Sequence, residues 1–373
     1  MLFLLLACAP DPCPPGSTRG ADDLCLLTDD AADSGVGGSE GADGGDGGDG
    51  GDGGTDGSDG GTDGSCPADP HQPGDPLDAY DAYPVFIDGT DRRFQTIQDG
   101  IWGAEPGDRV VVCPGTYDEN IDFKGKVITV ASAGGPWVTT IDGGGRASVV
   151  SMRNWEPPEA VLEGFTLTGG DGTEFHGGGV FVEWGSPTIR HNVVTGNTAG
   201  IAGGVYVRNG GATVENNIIV RNHASEGGGG VVCTACVGPI RFNTFYENTC
   251  PQGHVGEYFW GSGDFVGNLM VAAPGERGFA FRVMDWREDR SFSVSHNLLW
   301  PADIDWAGSF DADRWAAAMT ASVRADPRLV DPEGGDYTLA PDSPARDAGP
   351  PEVLDADGSV SDLGAYGGPL GSW

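Results

Sequence analysis

Histidines and carboxylates gather in three short segments of this chain: Asp171, Glu174 and His176 in "GGDGTEFHGGG", His223 and Glu226 in "RNHASEGGGG", and His254 and Glu257 in "PQGHVGEYF". An imidazole beside a carboxylate can relay a proton near neutral pH, and the same pairing with extra oxygen donors can hold a cation. His223, Glu226, His254 and Glu257 are therefore the candidate catalytic residues, and Asp171, Glu174 and Glu226 the candidate metal ligands. Calcium is the cation that such oxygen donors imply. The competing account is that surface loops collect polar residues whatever the protein does.

What must position these loops is a repeat. Asn192, Asn217, Asn243, Asn268 and Asn297 lie 25, 26, 25 and 29 residues apart, within the aligned segments "IRHNVVTGN", "VENNIIVRN", "IRFNTFYEN", "FVGNLMVAA" and "VSHNLLWPA". Glycine pairs precede a valine in the same phase, at Gly178-Gly179, Gly203-Gly204 and Gly229-Gly230. "LEGFTLTGG" continues the pattern upstream with Gly164 in the asparagine position. A period near 25 in β-branched residues, glycine and asparagine marks stacked units that cannot bury their inner faces singly.

This pattern, over residues 94 to 300, resembles the right-handed parallel β-helix, the fold of pectate lyases and many bacterial surface proteins. The expected fold is accordingly all-β, a solenoid of ~25-residue coils stacked about 4.8 Å apart. The registers predict two inward columns, Ile189, Val214, Ile240, Phe265, Val294 and Val194, Ile219, Phe245, Met270, Leu299. Between them Arg190, Glu215 and Arg241 form an outward column of alternating charge. In "GGVYVRN", Val205 and Val207 face the core while Tyr206 and Arg208 face outward. The five asparagines form a ladder at the corners, tolerating left-handed backbone and bonding to the asparagine one coil on, so they are scaffold. Adjacent loops stand close enough for Glu226 and His254 to share a proton or a cation.

Solenoid ends need covers. Phe94, Ile97 and Ile101 share a helical face, and this short helix is expected to cover the N-terminal end. At the other end "FDADRWAAAMTAS" reads as a helix. "ADPRLVDPEGGDYTLAPDSPARDAG" with "DLGAYGG" resembles the closing segment of secreted bacterial β-helix proteins, so residues 301–373 are read as a C-terminal cap on a β-helix of residues 66–300. "DADGSVSD", Asp355 to Asp362, is read as a turn, because it lacks the closing glutamate of a calcium loop.

The resemblance implies polysaccharide chemistry. Lyases of this fold use carboxylate-held calcium with a basic residue, and its hydrolases use paired aspartates on neighbouring coils. "PGTYDENI", Pro114 to Ile121, resembles the Gly-x-Tyr-x-Glu opening of pectin methylesterases, and "TIQDGI" their preceding helix. The Gln-Ala pair of that family is missing, so the segment is read as shared scaffold. "GEYFW" offers Tyr258 or Trp260 as a stacking platform for sugar rings.

The N-terminal region points to a location. "MLFLLLAC" resembles a bacterial lipobox, which implies a signal segment over residues 1–7 and lipidation at Cys8; the apolar run is too short to span a bilayer. A small segment, 8–32, follows, in which Cys13 and Cys25 bracket a loop that a disulfide would close. Residues 33–65 are Gly/Asp-rich with no apolar residue to found a core, and are expected to form a disordered tether. Cys66 with Cys113 is the second expected disulfide. Among Cys233, Cys236 and Cys250, a bond from Cys250 to one of the others is expected, leaving one thiol over. These features place the protein in the outer membrane or on the surface of a Gram-negative bacterium, or else secreted.

A formal charge of −36 argues against nucleic acid and anionic lipid headgroups as partners. The expected partner is a polysaccharide or cell-surface glycan, the membrane being met only through the lipid anchor, and the protein is expected to be a monomer. Two functions follow. One is a surface-tethered, non-catalytic carbohydrate-binding, adhesive or structural module. The other is a polysaccharide lyase or glycoside hydrolase, calcium-dependent or not, with its site on the His/Glu flank.

Overall fold

The computed structural model describes residues 17–19, 25–27, 66, 83–173, 177–251, 256–259, 262–273, 281–284, 292–301 and 321–373. Two compact units, Met1–Asp59 and Gly60–Trp373, are each taken by themselves. In the first, strands Ser17–Arg19 and Cys25–Leu27 pair antiparallel, Ser17 opposite Leu27. Cys8, Cys13, the 33–65 segment and residues 310–320 of the helix expected over 310–322 lie outside the described residues.

The second unit is a parallel β-helix. Each coil contributes one short strand to each of three long sheets, as in Val150–Met152, Val161–Glu163 and Thr166–Thr168. The next coil adds its strands in register, so that Val150 pairs with Val180, Leu162 with Ile189 and Leu167 with Val194. The sheets reach seven, ten and nine strands. Both expected inward columns are buried in one continuous core, as are Val205 and Val207. Tyr206 faces outward as expected yet is only 3% exposed, because it joins a second apolar column with Phe181 and Val232.

The asparagine ladder is present. Asn192 Nδ2 donates to Asn217 Oδ1, Asn217 Nδ2 to Asn243 Oδ1, Asn243 Nδ2 to Asn268 Oδ1 and Asn268 Nδ2 to Asn297 Oδ1, at 3.0–3.2 Å. Its backbone differs from expectation. The left-handed residue is the one before each ladder asparagine: His191, Asn216, Phe242, Gly267 and His296. Turning one residue earlier aims the asparagine inward, where its Nδ2 meets the carbonyls freed at the corner. Gly164 therefore belongs to the left-handed slot and Phe165 to the asparagine slot, its N–H donating to Asn192 Oδ1 at 3.1 Å. A second ladder, Asn197, Asn222 and Asn248, runs along the next corner. The glycine pairs serve close approach: a Cβ on Gly178 would strike the Gly203 carbonyl.

At the N-terminal end the exposed strand edge is paired by an antiparallel strand, Val85–Ile87, against Arg109–Val112. The helix itself is Ile97–Gly103, with Thr96 as N-cap; Phe94 lies in the strand Arg93–Phe94. Ile97 and Ile101 plug the end of the core. The Tyr and Glu of "PGTYDENI" staple this arrangement. Tyr117 Oη donates to the Cys113 carbonyl at 2.8 Å, and the Glu119 carboxylate accepts the Ile97 and Gln98 N–H groups at 2.9 and 3.0 Å. The Cys66–Cys113 disulfide forms, with Cα atoms 5.5 Å apart. The other expectation is corrected: Cys233 bonds Cys236 across a sharp turn, and Cys250 takes no part in that disulfide.

The described C-terminal residues, 321–373, do more than close an end. After Val323–Arg324 pairs with the strand Leu298–Trp300, the chain runs back lengthwise over the outer face of the nine-stranded sheet. Leu363 and Ala345 cover Leu269, Val271 and Leu298, and Tyr337 and Ala365 cover Val193, Ile218 and Val220. Asn216 Nδ2 donates to the Ala365 and Gly367 carbonyls, and Trp373 stacks on His191 with centroids 5.3 Å apart. This is a lateral strap. Within it Asp355–Asp362 is a turn, as expected, with Asp355 accepting the Asp362 and Gly368 N–H groups.

The charged column is longer than expected. Glu163 bonds both Arg109 and Arg190, and Arg241 bonds Glu215. Burial alone would raise the Glu163 pKa, but its hydrogen bonds to Arg190 and Arg109, and their charges, hold it below the usual value.

Burial under the strap lowers the His191 pKa, Arg190 adding to the effect, while the Leu370 carbonyl, Glu163 and Glu215 oppose it. The folded value thus lies below the unfolded one of about 6.5, so this stabilisation is complete above about pH 6.5 and is lost as pH falls toward the folded value. The melting temperature should drop across that window more in the native chain than in His191→Asn, which keeps a residue tolerant of left-handed backbone. Identical profiles would remove His191 from the pH response.

Candidate functional site

Among the described candidate residues of the loop flank, only Asp171 and His223 share a sheet. Asp171–Gly172, Thr198–Ala199 and His223–Ala224 form a short three-stranded parallel sheet, placing Asp171, Thr198 and His223 in one outward column. Thr198 stands between the other two, so their backbones are about 10 Å apart, two strand spacings. The His223 Nδ1 atom bonds Thr249 Oγ1 on the next coil at 2.9 Å, and this contact orients the ring. Asp171 Oδ1 accepts the Thr173 N–H of its own turn at 3.0 Å. Glu226 is exposed, its backbone N–H donating to the Gly200 carbonyl. Glu257 is not in the loop with His254: its backbone lies in the strand Gly256–Phe259, opposite Val232. Glu174, His176, His254 and Trp260 lie outside the described residues, as do the side chains of Glu257 and Tyr258. Among the described residues no three His, Cys, Asp or Glu side chains come together to hold a metal.

A different corner carries the more unusual arrangement. Where the residues that follow a strand of the seven-stranded sheet are described, the chain turns through a left-handed residue, and on two successive coils that residue is tryptophan: Trp155, φ 64°, and Trp184, φ 62°. Bulky side chains are rare in this conformation, which costs on the order of 1–3 kcal/mol and is a pointer to function. On the next two coils the slot holds Asn209 and Ala235, so the fold itself does not require an aromatic there. The two indoles stack with centroids 5.6 Å apart and planes 26° from parallel. Trp155 is 70% and Trp184 45% exposed.

Buried and half-buried polar groups fix the backbone around the pair. Glu156 is 1% exposed; its carboxylate accepts the Gly125 and Asn154 N–H groups at 2.9 Å, and its carbonyl accepts the Ser186 N–H at 2.7 Å. Trp184 N–H donates to the Arg208 carbonyl at 3.0 Å. Glu183, buried just before Trp184, bonds Arg153 at 3.4 Å and also Arg208. Arg153 in turn lies over the Phe181 ring, 5.2 Å from its centroid. The result is a rigid aromatic ridge in which one carboxylate engages two guanidinium groups. A further aromatic surface, an open depression of ≈ 600 Å³ beside the N-terminal helix, is lined by Tyr83, Arg93, Gln95, Asp99 and Trp102 among others.

Residue spacing marks the loop flank but not this ridge. The signal was available in "RNWEPP" and "VEWGSP", where a tryptophan follows a strand and precedes proline at coil-like spacing. No family model matches the sequence, and no curated protein sequence matches it. Among solved structures the chain is similar to the crystal structure of pectate lyase Pel9A, with 13% sequence identity over 74% of this chain and 92% of that chain, at a TM-score of 0.34. The assignment to the parallel β-helix fold rests on the strand pairings described above.

Proposed function

We propose that this chain is a non-catalytic glycan-binding β-helix displayed at a bacterial surface, and that it meets sugar at the Trp155–Trp184 ridge. The observation that carries this reading is the exposed, stacked tryptophan pair held by buried polar groups, because the C–H faces of pyranose rings stack on indoles. The lipobox-like start with Cys8 and the Gly/Asp segment 33–65 support a tethered location, with the solenoid standing off the membrane.

A glycan array and a degradation screen, with and without calcium, test the reading. Binding without product release is expected, and the Trp155→Ala/Trp184→Ala double variant should lose roughly 10- to 100-fold in affinity, about 1.4–2.7 kcal/mol. Alanine already occupies this left-handed slot at Ala235, so the variant should stay folded. Depolymerisation that disappears in His223→Ala/Glu226→Ala would instead establish the lyase or hydrolase.

A further inference from the structure

We infer that the ridge selects uncharged glycans over acidic ones, and that Asn209 supplies the polar contact beside Trp184. The inference rests on the glycan-binding reading above and names its ligand class.

The strand register places Glu183 opposite Arg208, which sets Asn209 in the corner slot directly following Trp184. The column therefore runs Trp155, Trp184, Asn209. Beside Asn209 stand Gly210 and Gly211, and a Cβ on Gly210 would strike the Gly185 carbonyl, so the floor next to Trp184 is bare backbone. Beyond it rises Val237, 62% exposed, whose Cγ2 would lie 3.3 Å from a Cβ on Gly211. A pyranose set against Trp184 would thus have an indole on one side, close-packed glycine backbone beside it, and a carboxamide able to both donate to and accept from its hydroxyls.

Charge decides the class. A uronate needs a cation to receive its carboxylate, usually a guanidinium in bidentate geometry. The two guanidinium groups at this corner, Arg153 and Arg208, both engage Glu183, which is 7% exposed and shared between them. The oxygens of buried Glu156, next to Trp155 in the chain, are taken by backbone N–H groups. A chain of formal charge −36 repels polyanions at longer range as well. Arg153 and Arg208 keep 41% and 39% of their side chains exposed but share Glu183 as counter-ion, so recognition falls to stacking and carboxamide hydrogen bonds, both suited to neutral sugars.

The test is affinity electrophoresis of the full chain in native gels containing hydroxyethylcellulose, xyloglucan or galactomannan as neutral probes, and polygalacturonate or alginate as acidic ones. Retardation is expected in at least one neutral gel and in neither acidic gel. It should be unchanged between about 50 and 500 mM salt, since no exposed charge pair carries it. Trp184→Ala should weaken it by roughly 10-fold. Asn209→Gly, which suits left-handed backbone while deleting the carboxamide, should weaken it several-fold with no loss in melting temperature. Retardation in acidic gels alone, and lost at high salt, would overturn the neutral class while leaving glycan binding intact. Neutral binding untouched by both substitutions would overturn the site. No retardation in any gel would overturn the inference and the glycan-binding reading together.

Discussion

Asn217→Leu, a near-isosteric change at a position with no contact to any proposed ligand, should cost on the order of 3–5 kcal/mol. The carboxamide makes five hydrogen bonds. Its Oδ1 accepts the Asn192 N–H and Nδ2, both at 3.1 Å, and its Nδ2 donates to the Ile189 and Glu215 carbonyls and to Asn243 Oδ1, at 2.9–3.0 Å. Leucine fills the volume and makes none of them. It also leaves the Asn192 N–H facing an apolar side chain, and a buried donor without a partner costs about 1–3 kcal/mol by itself. Each coil is stabilised by its neighbours, so the loss extends to the coils on both sides. Chemical denaturation of the variant measures it, and a loss below about 1 kcal/mol would mean that core packing, rather than the ladder, holds this corner.

A second large effect is expected from one charge placed at two equivalent positions. Thr140, Thr166, Val193 and Ile218 succeed one another in a single outward column of the nine-stranded sheet. Ile218 is fully buried beneath the strap with Tyr337 and Ala365, whereas Thr140 is half-buried on a coil before the strap's apolar contacts begin at Val193. Ile218→Asp should therefore cost on the order of 3–5 kcal/mol or lift the strap, because a carboxylate would be buried without a cation. Thr140→Asp should cost about 1 kcal/mol or less. Thermal melting gives the two losses, and limited proteolysis between residues 321 and 373 reports whether the strap has come away. Equal losses with an intact strap would show that the strap adds little to the stability of the coils.

The pair of positions also shows what a sequence can disclose about such a fold. The inward columns and the ladder are legible because each residue meets its counterpart one period away, so geometry repeats as letters. The left-handed slot is not, because His191, Asn216, Phe242, Gly267 and His296 all satisfy it and no single letter marks it. The strap is illegible in the period, since its partners are distant, yet it leaves a trace. "NIIV", "NLMV" and "NLLW" are apolar at consecutive positions, where a sheet with one wet face would alternate. The Cys233–Cys236 bond is not legible in "CTAC", because no letter there marks that Ala235 turns left-handed between the two cysteines. Of the polar flank, spacing correctly placed Asp171 and His223 on one side, but it could not show that Thr198 stands between them. The tryptophan ridge went unread because each corner loop, taken alone, looks like an ordinary proline turn.

The strap also divides the chain's interactions by range. Ladder and parallel-strand contacts join residues 20 to 32 positions apart, while Asn216 reaches Ala365 across 149 residues and His191 reaches Leu370 across 179. Coils can therefore close one after another at small entropic cost, each templated by the last, but the strap has nothing to dock on until the coils from His191 to Leu298 stand. Contacts formed that late are absent from the barrier to folding and present in the barrier to unfolding. The strap thus acts less on how fast the solenoid assembles than on how long it lasts.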